Sequence, residues 1–126
     1  MDMKGYQQYK QQSINSMTPG ELLLLLYDEL VKRATLASIA LEKKDYELFE
    51  ASVQRCIDII NYLDETLDRK YPISHDLARM YEYFTYQLGR IKIGRNAKLL
   101  TELRPMLGEM RDAFRSAEKS VASQGK

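Results

Sequence analysis

Tryptophan is absent from the 126 residues, and cysteine and histidine occur once each. A lone cysteine, Cys56, excludes an internal disulfide and points to a reducing, cytoplasmic compartment. Cys56 and His75 together cannot supply the ligand set of a structural zinc site. The Glu-x-x-His pairs that hold two irons in a helical bundle are missing. Gly89 and Gly94 lack the Lys and Ser/Thr of a phosphate-binding loop. Nucleophilic catalysis needs a nucleophile, a base and an orienting group. Cys56 falls mid-stripe on an amphipathic segment and reads as a small core residue. His75 sits in a turn after Pro72, not in mid-helix as a phosphotransfer histidine would. The chain is therefore expected not to be an enzyme and to carry no cofactor and no metal. No apolar run reaches the ~20 residues that span a bilayer, so membrane insertion is not expected. The polar start, Met1 to Ser16 with Lys4, Gln7, Gln8, Lys10, Gln11 and Gln12, predicts no signal peptide. Acidic and basic residues nearly cancel to a net charge of +1, which argues against nucleic acid as a partner. There is no Pro/Gly/Ser linker, no low-complexity run, no internal repeat and no sustained period-two alternation, so a single domain without strands is expected.

What the chain does have is helical periodicity. Thr18-Pro19-Gly20-Glu21 is a helix start: Thr18 caps, Pro19 occupies the first helical position, and Glu21 can complete a capping box. Five consecutive leucines, Leu22 to Leu26, then place apolar side chains on every face of the first turns. A helix on the outside of a small bundle needs one apolar stripe, so the surplus must be covered by something, another protein being a candidate. This first helix is predicted from about Pro19 to Leu41, with Leu22, Leu23, Leu26, Leu30, Ala34, Ala37 and Leu41 inward. Asp45 caps a second helix from about Tyr46 to Asp68, whose stripe is Phe49, Val53, Cys56, Ile57, Ile60, Leu63 and Leu67. Leu48, Ile59 and Tyr62 lie off that stripe. Pro72 breaks the chain, Ser74 reads as the next cap, and a third helix follows from about His75 to Ile91. Its inward set is Leu77, Met80, Tyr81, Phe84, Leu88 and Ile91, with Tyr83 and Tyr86 on another face. Gly89, Gly94 and Asn96 mark the next break. The fourth helix carries Leu100, Leu103, Leu107, Met110, Phe114 and Ala117. Pro105 predicts a kink near Leu103 or a helix that restarts at Pro105. The pattern gives an all-α, antiparallel up-down-up-down four-helix bundle over residues 18–116, with an N-terminal arm over 1–17 and a disordered polar tail over 117–126. Arg90, Lys92, Arg95, Lys98 and Arg104 cluster around the last turn. No aromatic platforms are interleaved with them, so they read as a solvated bundle end.

These features, in this order, resemble the bacterial flagellar secretion chaperones that bind flagellin, the FliS family. The resemblance runs through Tyr6-x-x-Tyr9, Thr18-Pro19-Gly20-Glu21-Leu22, Leu26-Tyr27-Asp28 and Ile59-Ile60 with Leu63 and Leu67-Asp68. It continues through Leu77-Ala78-Arg79-Met80-Tyr81-Glu82-Tyr83 with Leu88, and closes at Leu107-x-x-Met110-Arg111-Asp112-Ala113-Phe114. The sequence departs from the family at Glu29, where a glycine is usual, at Phe114, where a tryptophan is usual, and at Pro105 and Gly108. The resemblance implies a cytoplasmic chaperone that holds the disordered C-terminal segment of flagellin, prevents premature polymerisation and delivers it to the export apparatus, with export-gate components as further contacts. It implies a monomer that binds its client one to one, without nucleic acid. The client-binding residues expected on this basis are Tyr6, Tyr9 and Ile14 on an arm that can lie over the groove, Ile59 and Tyr62 on the second helix, and Tyr83 and Tyr86 on the third. Leu22, Leu26, Tyr27, Leu63, Leu67, Tyr81 and Leu88 also match family positions and are assigned to the core. Two other readings compete: a self-associating bundle with Leu24 and Leu25 as its seam, and a phosphotransfer protein using His75.

Overall fold

The structure, a computed structural model, describes residues 16–124, with side chains as far as residue 120. It consists of four helices: α1 (Pro19–Glu42), α2 (Tyr46–Glu65), α3 (Ile73–Gly94) and α4 (Ala97–Gln124). Their connections are short, which forces consecutive helices to run antiparallel. The cross-helix contacts confirm the direction. On α1 and α4, Asp28 meets Arg115 while Thr35 meets Arg104, so one number rises as the other falls. The described residues form an all-α four-helix bundle, as the periodicity predicts.

The helix ends follow the local chemistry. The Thr18 hydroxyl accepts from the Glu21 N–H at 3.1 Å, and Pro19 opens α1. The reciprocal half of the capping box, from the Glu21 carboxylate to Thr18, is not formed among the described residues. Asp45 caps α2 by accepting from the Leu48 N–H at 3.2 Å. Asn96 does the same for α4, accepting from the Leu99 N–H at 3.0 Å. The left-handed residue that ends α3 is Arg95 (φ 48°), not a glycine. Its guanidinium lies 3.7 Å from the centroid of the Tyr46 ring, a cation–π contact that favours this turn.

Two expectations are corrected at these ends. Ser74 does not cap α3. Pro72 already has helical dihedrals (φ −55°, ψ −36°), so the helix begins at Ile73 and carries Ser74 into its first turn. There Ser74 is buried, and its hydroxyl has no partner among the described residues. Nor does α4 restart at Pro105. It passes through the proline as one helix and continues to Gln124, beyond the expected end of the bundle. Thr101 and Pro105 both face solvent, so the carbonyl deprived of its N–H partner lies on the side of α4 that water can reach.

Leu30, Phe49, Ile60, Phe84, Leu88, Ile91, Leu100, Leu103 and Leu107 are fully buried and form the centre of the core. Each of these positions belongs to the period read from its helix. Ala34, Ala37 and Ala40 are buried on α1, and such small residues let neighbouring helices approach closely. Met80, expected inward, is 39 % exposed, and Ala117 is exposed as well. Both lie where the bundle opens.

Candidate client-binding groove

The packing of the bundle is uneven. α1 packs along α2 and α4, and α2 along α3, whereas α3 and α4 make the fewest contacts of any adjacent pair. Several interactions hold α4 towards α1. Arg115 donates to the Asp28 carboxylate at 2.8 Å, and Arg111 lies 3.9 Å from the same oxygen. The Phe114 ring sits 5.0 Å from that of Tyr27. The Glu118 carboxylate lies against Gly20, where a Cβ would collide with it. A carboxylate there also favours the positive N-terminal end of α1.

With α4 drawn to α1, a groove of about 600 Å³ opens between α3 and α4. α3 contributes Ile73, Leu77, Met80 and Tyr81. α4 contributes Met106, Glu109, Met110, Ala113, Phe114 and Ala117. Leu23 and Tyr27 of α1, Leu63 of α2, and Thr66, Leu67 and Asp68 complete the lining. Ala113 and Ala117 are short, so they leave space where larger side chains would close the seam. Three methionines line the walls, and their unbranched, polarisable side chains adapt to varied apolar partners.

The base of the groove is a hydrogen-bonded, uncharged tyrosine pair. The hydroxyls of Tyr27 and Tyr81 share a buried hydrogen bond of 2.5 Å between α1 and α3. Burial pushes the Tyr27 hydroxyl well above the ordinary phenol range, and its bond to Tyr81 adds to the shift. Tyr81 is also raised by burial, although its bond to Tyr27 works in the opposite direction. Both phenols are therefore neutral throughout the physiological range.

The residues expected to bind a client are spread over the molecule. Tyr6, Tyr9 and Ile14 lie outside the described residues. Ile59 is 2 % exposed and belongs to the core, but its edge joins Tyr62, Leu22, Leu26, Arg55 and Asp58 around a cleft of about 340 Å³ on the α1–α2 seam. Tyr62 is exposed there. Tyr83 and Tyr86 are exposed on the outer side of α3 and line neither cleft; Tyr86 lies under the Arg90 guanidinium. The leucine run thus divides its surplus apolar surface. Leu22 and Leu26 serve the α1–α2 cleft, and Leu23 serves the large groove. The groove residues on α3 and α4 were not singled out from the sequence as a site. Leu77, Met80, Tyr81, Met110, Phe114 and Ala117 belong to the inward stripes, whereas Ile73, Met106, Glu109 and Ala113 lie off them; periodicity does not distinguish a stripe that meets a partner helix from one that stops short of it.

Cys56 behaves as a core residue. It is fully buried, burial pushes its thiol up to about 12, and its Sγ lies 3.7 Å from the Leu30 carbonyl oxygen. A thiol held protonated in this way is a poor nucleophile. His75 is exposed at the start of α3. Of the basic cluster, Arg90, Arg95 and Lys98 are exposed, and three members contact neighbouring helices. Lys92 donates to Gln54 at 2.8 Å, Arg104 to the Thr35 hydroxyl at 3.2 Å, and Arg95 covers Tyr46. Among the described residues no helix is long and apolar enough to cross a membrane.

The described residues thus form a four-helix bundle with an open, mainly apolar groove between α3 and α4 over a neutral base. A family model described as flagellar protein FliS matches residues 2–121. The flagellar secretion chaperone FliS of Bacillus subtilis is 34 % identical over 115 residues, covering 91 % of this chain and 86 % of that protein. The flagellar secretion chaperone FliSB of Pseudomonas aeruginosa is 29 % identical over 118 residues, covering 89 % of this chain and 94 % of its own length. The chain belongs to the FliS family, a family of flagellar chaperones and not a class of enzymes.

Proposed function

We propose that this protein is a cytoplasmic export chaperone that holds the disordered C-terminal segment of flagellin, with the α3–α4 groove as its principal seat. The observation that carries this reading is the groove itself: about 600 Å³, lined almost wholly by aliphatic, thioether and aromatic side chains. An amphipathic segment laid into it would bury its apolar stripe, and the burial offsets the cost of ordering a disordered chain. Segments that later form a coiled filament core expose such stripes before assembly, and covering them prevents premature polymerisation. The α1–α2 cleft around Tyr62, and Tyr83 and Tyr86 on α3, would take further turns of a client that wraps the bundle. Gly20, in the first turn of α1 where the arm joins it, lies against Glu118, next to the groove-lining Ala117 of α4. Tyr6, Tyr9 and Ile14 would thus reach the groove, cover it in the absence of client, and be displaced on binding. The loaded complex would then be presented to the export gate.

Light scattering on a sizing column tests the stoichiometry. The protein alone is expected to run as a monomer and to form a one-to-one complex with the flagellin segment. A stable homodimer that ignores the segment would favour self-association instead.

A further inference from the structure

The groove's charge is all of one sign. Its two acidic lining residues are Asp68, between α2 and α3, and Glu109, on α4. No lysine, arginine or histidine lines it. The other clefts differ: the α1–α2 cleft carries both Arg55 and Asp58, and a shallow one on α1 near Ile39 carries Lys32 and Arg33. Compensation of the groove carboxylates from within the protein is weak. Asp68 accepts from the Lys70 N–H at 3.0 Å, but the Lys70 ammonium is 4.0 Å away on a side chain that is 84 % exposed. Among the described residues no cation pairs with Glu109, whereas the neighbouring Asp112 is held by Arg111 at 3.0 Å. Asp68 belongs to the α2–α3 connection and Glu109 to α4, so two separate elements of the lining each bring a carboxylate to the groove. Such a rim repels an acidic segment and attracts a basic one.

We propose that the occupant of the α3–α4 groove is an amphipathic helix of the client whose apolar stripe is bordered by Lys or Arg, one cation towards Asp68 and one towards Glu109. This rests on the groove being the client's seat. The apolar walls supply most of the affinity, and the two carboxylates select register and exclude acidic helices of equal hydrophobicity.

The test is calorimetric titration with a synthetic peptide of the flagellin C-terminal segment from the same organism. A second peptide has its Lys and Arg replaced by Gln. Both are titrated into the wild-type chain and into the double variant Asp68→Asn/Glu109→Gln. Both substituted side chains are exposed, so thermal unfolding of the variant is expected to match the wild type. At low salt the wild-type peptide is expected to bind the variant about fivefold more weakly, as befits two exposed ion pairs. Raising the salt to roughly 0.5 M should remove most of that difference by screening. The Gln peptide should not distinguish the two proteins. Equal affinity of the wild-type peptide for both proteins, with the same salt dependence, would overturn the charge proposal and leave the groove as client seat intact. No binding to the wild-type chain would remove both.

Discussion

At the scale of single residues, the Tyr27–Tyr81 pair fixes the base of the groove. It joins α1 to α3, which are diagonal in the bundle, through two buried hydroxyls that satisfy each other. Removing one oxygen leaves the other buried without its partner, which costs more than the bond contributes. Tyr81→Phe is therefore expected to lower stability by about 1–3 kcal/mol in urea unfolding. The double variant Tyr27→Phe/Tyr81→Phe should be destabilised by clearly less than the sum of the single variants. Strictly additive losses would mean that the hydroxyls do not act as a pair. The Asp28–Arg115 contact is different in kind. Both side chains are more than 40 % exposed, so water screens the pair, and its role is to orient α4.

At the scale of elements, α4 explains the shape of the site. It leans on α1 through Asp28, Tyr27 and Gly20, and so leaves α3 partly unpartnered. Pro105 sits inside α4 on the solvent side. A proline there forgoes one helical hydrogen bond, and Pro105→Ala should raise stability by roughly 1–3 kcal/mol in urea unfolding, because alanine restores the N–H. A loss of stability would show that the proline shapes the α4 path on which the packing against α1 depends. Much of this helix was legible in the sequence. Leu100, Leu103, Leu107 and Met110 follow the helical period and are buried. The fate of Pro105 was not, because whether a proline stops a helix depends on whether the freed carbonyl meets water or core. Ser74 misled for a related reason: a serine after Pro-x resembles a cap, yet the proline itself was already helical. Met80 belongs to the inward stripe of α3, but α4 stands off from it, so it faces a groove instead of a core. The five leucines at the start of α1 did announce surplus apolar surface, although not that two clefts would share it.

At the scale of the whole molecule, the bundle has a closed end and an open end. Around Phe49, Ile91 and Leu100 the helices close on one another, and Lys92, Arg95 and Arg104 of that end contact Gln54, Tyr46 and Thr35. At the other end the helices part, and the α1–α2 and α3–α4 clefts both open there. The proposed function assigns the groove one activity, reversible cover for an apolar segment of the client. The most direct measurement compares calorimetric titrations of the flagellin C-terminal segment into the wild-type protein and into Ala113→Trp, whose indole fills the groove from an exposed position, at several temperatures. The account predicts one-to-one binding to the wild type with a negative heat-capacity change, and at least about tenfold weaker binding to the folded variant, since blocking a slot this size displaces several apolar contacts. Undiminished binding to a folded Ala113→Trp protein would contradict it and place the client elsewhere on the bundle.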